Sequence, residues 1–102
     1  TKVILAHMGG FFHKEDAINV CKRFPNIYMD TCEFPFVDGI KRAVEELGPE
    51  RILFGTDNPI DNPLFEIEKI REANLGRDAE EKIFIKNAAR LLKLDVKGEL
   101  PW

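Results

Sequence analysis

Two stretches decide how this chain reads: Val3-Ile4-Leu5-Ala6-His7 and Ile52-Leu53-Phe54-Gly55-Thr56-Asp57. Each is a short, near-continuous apolar run, the pattern of a strand buried within a parallel sheet. One run ends in a histidine and the other in a carboxylate. In barrels of parallel strands the chemistry sits at the strands' C-terminal ends. The pair therefore points to one polar mouth carrying His7 and Asp57.

Strand and helix signals alternate outward from these runs. Met8-Gly9-Gly10 punctuates the first strand. Ala17, Val20, Cys21 and Phe24 then recur at helical spacing. Ile27-Tyr28-Met29 reads as a second strand ending at Asp30-Thr31. Phe36, Ile40, Val44 and Leu47 give a second helical stripe, closed by Gly48-Pro49. The third strand runs from Arg51 to Phe54. Asn62-Pro63 has the chemistry of an N-cap followed by a first helical residue, opening a helix with Leu64, Ile67, Ile70 and Ala73 inside. Asp78 and Glu81, at capping-box spacing, would open a last helix carrying Ala79, Ile83, Phe84, Asn87, Leu91 and Leu92. The fold class is α/β, a βαβαβαα unit over residues 1–94, with 95–102 as a polar tail.

Strict alternation puts Val3, Leu5 and His7 on one strand face and Ile4 and Ala6 on the other. It likewise groups Leu53, Gly55 and Asp57 against Ile52, Phe54 and Thr56. If the first set of each strand faces a barrel axis, His7 and Asp57 converge and the helices pack against Ile4, Ala6, Ile52 and Phe54. Asp57 precedes Asn58-Pro59, where a carboxylate serves equally as turn-former or metal ligand. His7 alone reads as a structural hydrogen-bonding residue or as a functional one, and Gly9 and Gly10 would let a substrate approach the backbone. Asp30, Glu33 and Asp61 lie at or beyond strand ends and could line the same mouth or serve as turn and cap residues. His13 reads as a solvated residue at a helix start.

Composition bounds the rest. The 102 residues carry 15 Lys and Arg against 18 Asp and Glu, a net charge of −3 with no basic stripe, so nucleic acid is not an expected partner. No apolar segment approaches the ~20 residues that span a bilayer. Cys21 and Cys32 are too few for a disulfide framework and lack C-x-x-C spacing, which suits reduced thiols and a cytoplasmic setting. A Gly-Gly pair is far from a phosphate-binding fingerprint. An apolar strand beginning by residue 2 or 3 leads us to expect part of something larger. Three parallel strands with helices on one side also leave a sheet face to be covered, by self-association or by a missing N-terminal half.

Four segments together resemble a known family. They are Leu5-Ala6-His7-Met8-Gly9-Gly10, Pro25-Asn26-Ile27-Tyr28-Met29-Asp30-Thr31, Arg51-Ile52-Leu53-Phe54-Gly55-Thr56-Asp57-Asn58-Pro59 and Lys86-Asn87-Ala88-Ala89-Arg90-Leu91-Leu92. In this order they are similar to the C-terminal part of amidohydrolase-related proteins, the group containing the aminocarboxymuconate semialdehyde decarboxylase-like metal enzymes. The resemblance implies the last three strands, six to eight, of a (β/α)8 TIM barrel, incomplete as a barrel on their own. It implies Asp57 as a ligand of a catalytic zinc or manganese ion and His7 as a general acid or base. The family's other metal ligands, a His-x-His or Glu-x-His pair on strand one and a histidine on strand five, have no counterpart among these residues. Catalytic zinc generally takes three protein ligands, so metal binding by Asp57 alone is expected to be weak and the chain alone inactive. The implied activity is hydrolysis or decarboxylation of a small carboxylate, amide, ester or lactone. A reading from another class is a non-catalytic remnant or oligomerising subunit.

Overall fold

A computed structural model of the chain describes residues 1–96. Three parallel strands, β1 (Val3–Leu5), β2 (Ile27–Asp30) and β3 (Ile52–Leu53), lie side by side in sequence order. The register pairs Leu5 with Met29 and Met29 with Ile52. Helices α1 (Lys14–Arg23) and α2 (Val37–Leu47) make the two crossovers, and α3 (Pro63–Glu72) follows β3. The last helical run comprises α4 (Arg77–Glu81), a π-helical turn (Lys82–Lys86) and α5 (Asn87–Leu92). This is the expected βαβαβαα order, and the sheet does not close. The expected polar tail from Lys97 to Trp102 lies outside the described residues. Among the described residues no helix is long and apolar enough to cross a membrane.

One core joins the sheet to the helices: Met29 and Ile52 from the strands, Ala17, Ile18 and Cys21 from α1, Ile40 and Ala43 from α2, Ile70 from α3 and Ile83 from the π turn. Leu5, Ile27 and Phe54 pack against it. The expectation for β3 is met, with Ile52 and Phe54 on the helix side. For β1 the parity is reversed. Leu5 joins the helix-side core through its pairing with Met29, whereas Ile4, paired with Tyr28, is 50% exposed on the other face. The apolar run does not stay extended to His7. It turns after Leu5 into a 3-10 segment (Ala6–Gly9) in which His7 and Met8 both have left-handed backbone angles, φ 60° and 49°. Met8 thereby drops into the core. Alternation applies only to extended backbone, so it fails at this turn.

Local signals explain the element ends. The Asn62 side chain accepts the Leu64 N–H at 3.0 Å, with Pro63 at the first helical position. Gly48 closes α2 at φ 87°. Asp78 does not cap the last helix; Gly76 holds that position, with Asp78 in the first turn, where a negative charge suits the helix dipole. Gly9, at φ 88°, has no room for a side chain, because a Cβ would stand 2.9 Å from that of Ala17. Its glycine therefore serves packing against α1 rather than substrate approach.

At the N-terminal edge of the sheet, the Arg51 guanidinium donates to the carbonyls of Cys21, Phe24 and Ile27, tying β3 to the end of α1 and the start of β2. Across β3, fully buried Asn87 donates through Nδ2 to the carbonyls of Pro49 and Ile52, both at 2.7 Å, while its Oδ1 accepts from Arg90. The Ile83 carbonyl accepts the Phe54 N–H at 3.1 Å, so the π turn continues the hydrogen bonding of β3 past the last strand. Asn87→Ala leaves two carbonyls without this donor and should cost about 1–3 kcal/mol in urea denaturation. An unchanged midpoint and slope would remove Asn87 as the tie between the last helix and β3.

Candidate active site

The C-terminal ends of the three strands converge on a small set of polar groups. The Asp30 carboxylate, at the end of β2, is the hub: its Oδ1 accepts the His7 N–H at 3.1 Å, the Cys32 N–H at 3.2 Å and the Cys32 thiol at 2.8 Å. The His7 ring lies over the turn after β2, with Nδ1 2.8 Å from the Cys32 carbonyl oxygen. That carbonyl stabilises a proton on the ring, and the charges of Asp30, Asp57 and Glu33 add to it. Together they outweigh partial burial and raise the His7 pKa above that of a free histidine. Burial and the bond to Asp30 push the Cys32 thiol up to about 12, so it is a neutral donor at physiological pH.

The third strand delivers Asp57. Gly55 passes so close to the Asp30–Cys32 corner that a Cβ there would stand 3.1 Å from the Cys32 Cβ. Asp57 itself sits at φ 53°, and its carbonyl accepts the N–H of Ile60 at 2.8 Å. It is thus a turn residue through its backbone while its carboxylate faces the mouth. Ligand-capable atoms of His7, Glu33 and Asp57 lie within 4.8 Å of one another. Glu33, also at positive φ (54°), places a carboxylate oxygen 3.9 Å from His7 Nδ1. Its pKa is raised, first by a hydrogen bond to Asp57 and then by desolvation and the Asp57 charge. Two carboxylates this close repel one another, and a cation placed between them would offset that repulsion. Carboxylate and imidazole donors suit zinc or manganese, so the residues present fit such an ion.

Beside this cluster opens a cleft of about 410 Å³, bounded by Phe11, Phe34, Phe65, Glu33, Asp61, Glu66 and Lys69. That is the size range of small-molecule sites. Glu66, only 3% exposed, accepts the Glu33 N–H at 3.2 Å and pairs with Lys69. Burial raises the Glu66 pKa and the Lys69 charge opposes the shift. Lys69 also donates to the Thr31 carbonyl at 2.6 Å, binding α3 to the loop after β2.

Among residues flagged in the sequence, His7, Asp30, Glu33 and Asp57 come together, and Asp61 borders the adjoining cleft. His13 stands apart as an exposed residue at the start of α1, 3.2 Å from Asp16. Cys32, Glu66 and Lys69 were not singled out. Cys32 acts on His7 through its backbone carbonyl, which no side-chain pattern reports. Glu66 and Lys69 look like a surface i, i+3 pair, and only the docking of α3 buries them.

Comparison with known proteins agrees with the fold. The amidohydrolase family model matches residues 1–94. Among curated proteins, none matches the chain. Three solved structures illustrate the likeness. The 2,6-dihydroxybenzoate decarboxylase from Rhizobium is 26% identical with a TM-score of 0.72, the match covering 93% of this chain and 35% of that one. A dihydroxybenzoic acid decarboxylase from Polaromonas sp. JS666, with bound manganese and the inhibitor 2-nitroresorcinol, is 23% identical with a TM-score of 0.72, covering 99% of this chain and 36% of that one. An amidohydrolase from Burkholderia multivorans with bound zinc is 16% identical with a TM-score of 0.75, covering 92% of this chain and 44% of that one. The chain thus spans about a third of the length of the decarboxylases it matches. The family match over nearly the whole chain and the barrel-like strand order agree: the chain belongs to the amidohydrolase family.

Proposed function

We propose that this chain supplies the C-terminal part of the catalytic face of a metal-dependent hydrolase or decarboxylase acting on a small carboxylate, amide, ester or lactone. The observation that carries this reading is the convergence of His7, Glu33 and Asp57 within 4.8 Å, next to a cleft of small-molecule size. The decarboxylase relatives favour loss of a carboxylate over hydrolysis as the first reaction to assay.

In this reading Asp57 is the metal ligand and Glu33 stands beside it as a further carboxylate donor. A divalent zinc or manganese ion held there would polarise a substrate carbonyl or carboxylate. His7 handles the proton. Its Nδ1 is engaged by Cys32, which leaves Nε2 to give or take a proton at the reacting atom, and the raised pKa keeps the ring protonated to higher pH than a free histidine. For a decarboxylation, that proton goes to the carbon from which the carboxylate leaves. Phe11, Phe34 and Phe65 give the adjoining cleft apolar walls that hold the substrate body and displace water.

The remaining ligands come from residues outside this chain. In this reading a complementary half, or a second copy, covers the open sheet face on which Ile4 is half exposed. The two cysteines, too few for a disulfide framework, suit a reducing, cytoplasmic setting.

In the complete barrel, Asp57→Ala should empty the metal site and abolish turnover together; full metal content by elemental analysis would exclude Asp57 as a ligand. His7→Ala should retain the metal and reduce kcat by roughly 10²–10⁴, the usual share of a general acid or base. Undiminished turnover in that variant would make His7 structural.

A further inference from the structure

The His7 ring is held by a neighbour whose own position depends on a third residue. We propose that Asp30 is a positioning residue: by fixing the main chain of His7 against that of Cys32, it locks the imidazole in the Nδ1–H form and leaves Nε2 as the basic nitrogen. This deepens the reading of His7 as the acid–base group and rests on it for its catalytic meaning.

The β1–β2 ladder ends at the Leu5–Met29 pair, so regular strand pairing does not place residue 7. His7 instead adopts φ 60° and ψ 22°, a conformation that is unfavourable for a residue with a side chain and persists only where surroundings impose it. The long-range hydrogen bond found at its main chain is the one from its N–H to Asp30 Oδ1, at 3.1 Å and across 23 positions of sequence. The same oxygen takes the Cys32 N–H at 3.2 Å and the Cys32 thiol at 2.8 Å. One carboxylate oxygen therefore sets two backbone segments in register.

The consequence appears at the ring. With both segments anchored, the Cys32 carbonyl oxygen stands 2.8 Å from His7 Nδ1. A carbonyl only accepts, so Nδ1 carries the hydrogen. The Cys32 sulfur, 3.3 Å from the same nitrogen, has given its own hydrogen to Asp30 and can only accept from the ring, which requires the same tautomer. Free histidine in water prefers the opposite form, with the hydrogen on Nε2. The bond made by one ring nitrogen decides the state of the other.

Two-bond proton–nitrogen NMR correlations of the metal-free chain, with histidine nitrogens labelled and the rings neutral, test this directly. The expected wild-type result is His7 in the Nδ1–H form. Asp30→Ala should move His7 toward the Nε2–H form while leaving His13 unchanged as an internal reference. Asp30→Asn keeps an oxygen acceptor and should keep the Nδ1–H form. A wild-type ring in the Nε2–H form overturns the proposal, as does a folded Asp30→Ala chain that retains Nδ1–H. If Asp30→Ala does not fold, loss of the Nδ1–H form in Asp30→Asn overturns it and retention supports it. In the complete barrel, Asp30→Ala should lower kcat with KM held. Because the spectra need neither metal nor substrate, the expected tautomer together with a fully active His7→Ala enzyme would sink the acid–base reading alone.

Discussion

A single carboxylate oxygen, Asp30 Oδ1, organises the functional end of this chain. It accepts from the main chain on both sides of the β1–β2 mouth and from the Cys32 thiol between them. Its grip allows the chain to leave β1 in a left-handed turn, so that Met8 enters the core while His7 stays at the mouth. It also fixes the corner against which Gly55 passes with no space for a side chain. Asp57, two residues further on, is thereby delivered to the same place. Removing the hub would loosen the His7 and Cys32 segments together.

The two ends of the sheet do different work. At the N-terminal edge, Arg51 and Asn87 satisfy main-chain carbonyls of the strands and α1, and these contacts serve stability. At the C-terminal edge, the Asp57 carboxylate stands beside Glu33 and raises the proton affinity of Glu33, an arrangement that is unfavourable for the fold unless a proton or cation offsets it. This division between a bonded base and a charged mouth is the general pattern of parallel-strand barrels. The manganese-bound and zinc-bound relatives share the strand arrangement on which that mouth is built.

Much of the fold was legible in the sequence because its signals are local. The glycine after α2, the Asn62-Pro63 start of α3 and the helical stripe from Phe36 to Leu47 depend on neighbours a few residues away. In α1 and α3 the stripes were offset: Ile18 and Glu66 are buried where Val20 and Leu64 were expected. The docking angle of each helix, which short periodicity does not carry, decides this. The parity of β1 also failed, since alternation says nothing about where a strand stops being extended. At the site, His7 and Asp57 stood out because they end apolar runs. Glu33 was one of several acidic turn residues, and only its left-handed backbone and proximity to Asp57 set it apart. Cys32 holds the His7 ring through a carbonyl, which every residue possesses, and its thiol reaches Asp30 only through the turn after β2, so no spacing pattern marked it.

We propose that Glu33 and Asp57, with His7 beside them, form one cation-binding mouth. Titrating manganese(II) into the uniformly nitrogen-15-labelled chain and following paramagnetic broadening of the backbone amides tests it most directly, since this effect registers even weak binding. The expected result is selective loss of the His7, Glu33 and Asp57 signals, while Ile27 and Arg51, at the opposite end of the sheet, stay sharp. Broadening confined to surface carboxylates such as Glu15 and Glu45, with the mouth untouched, would contradict it.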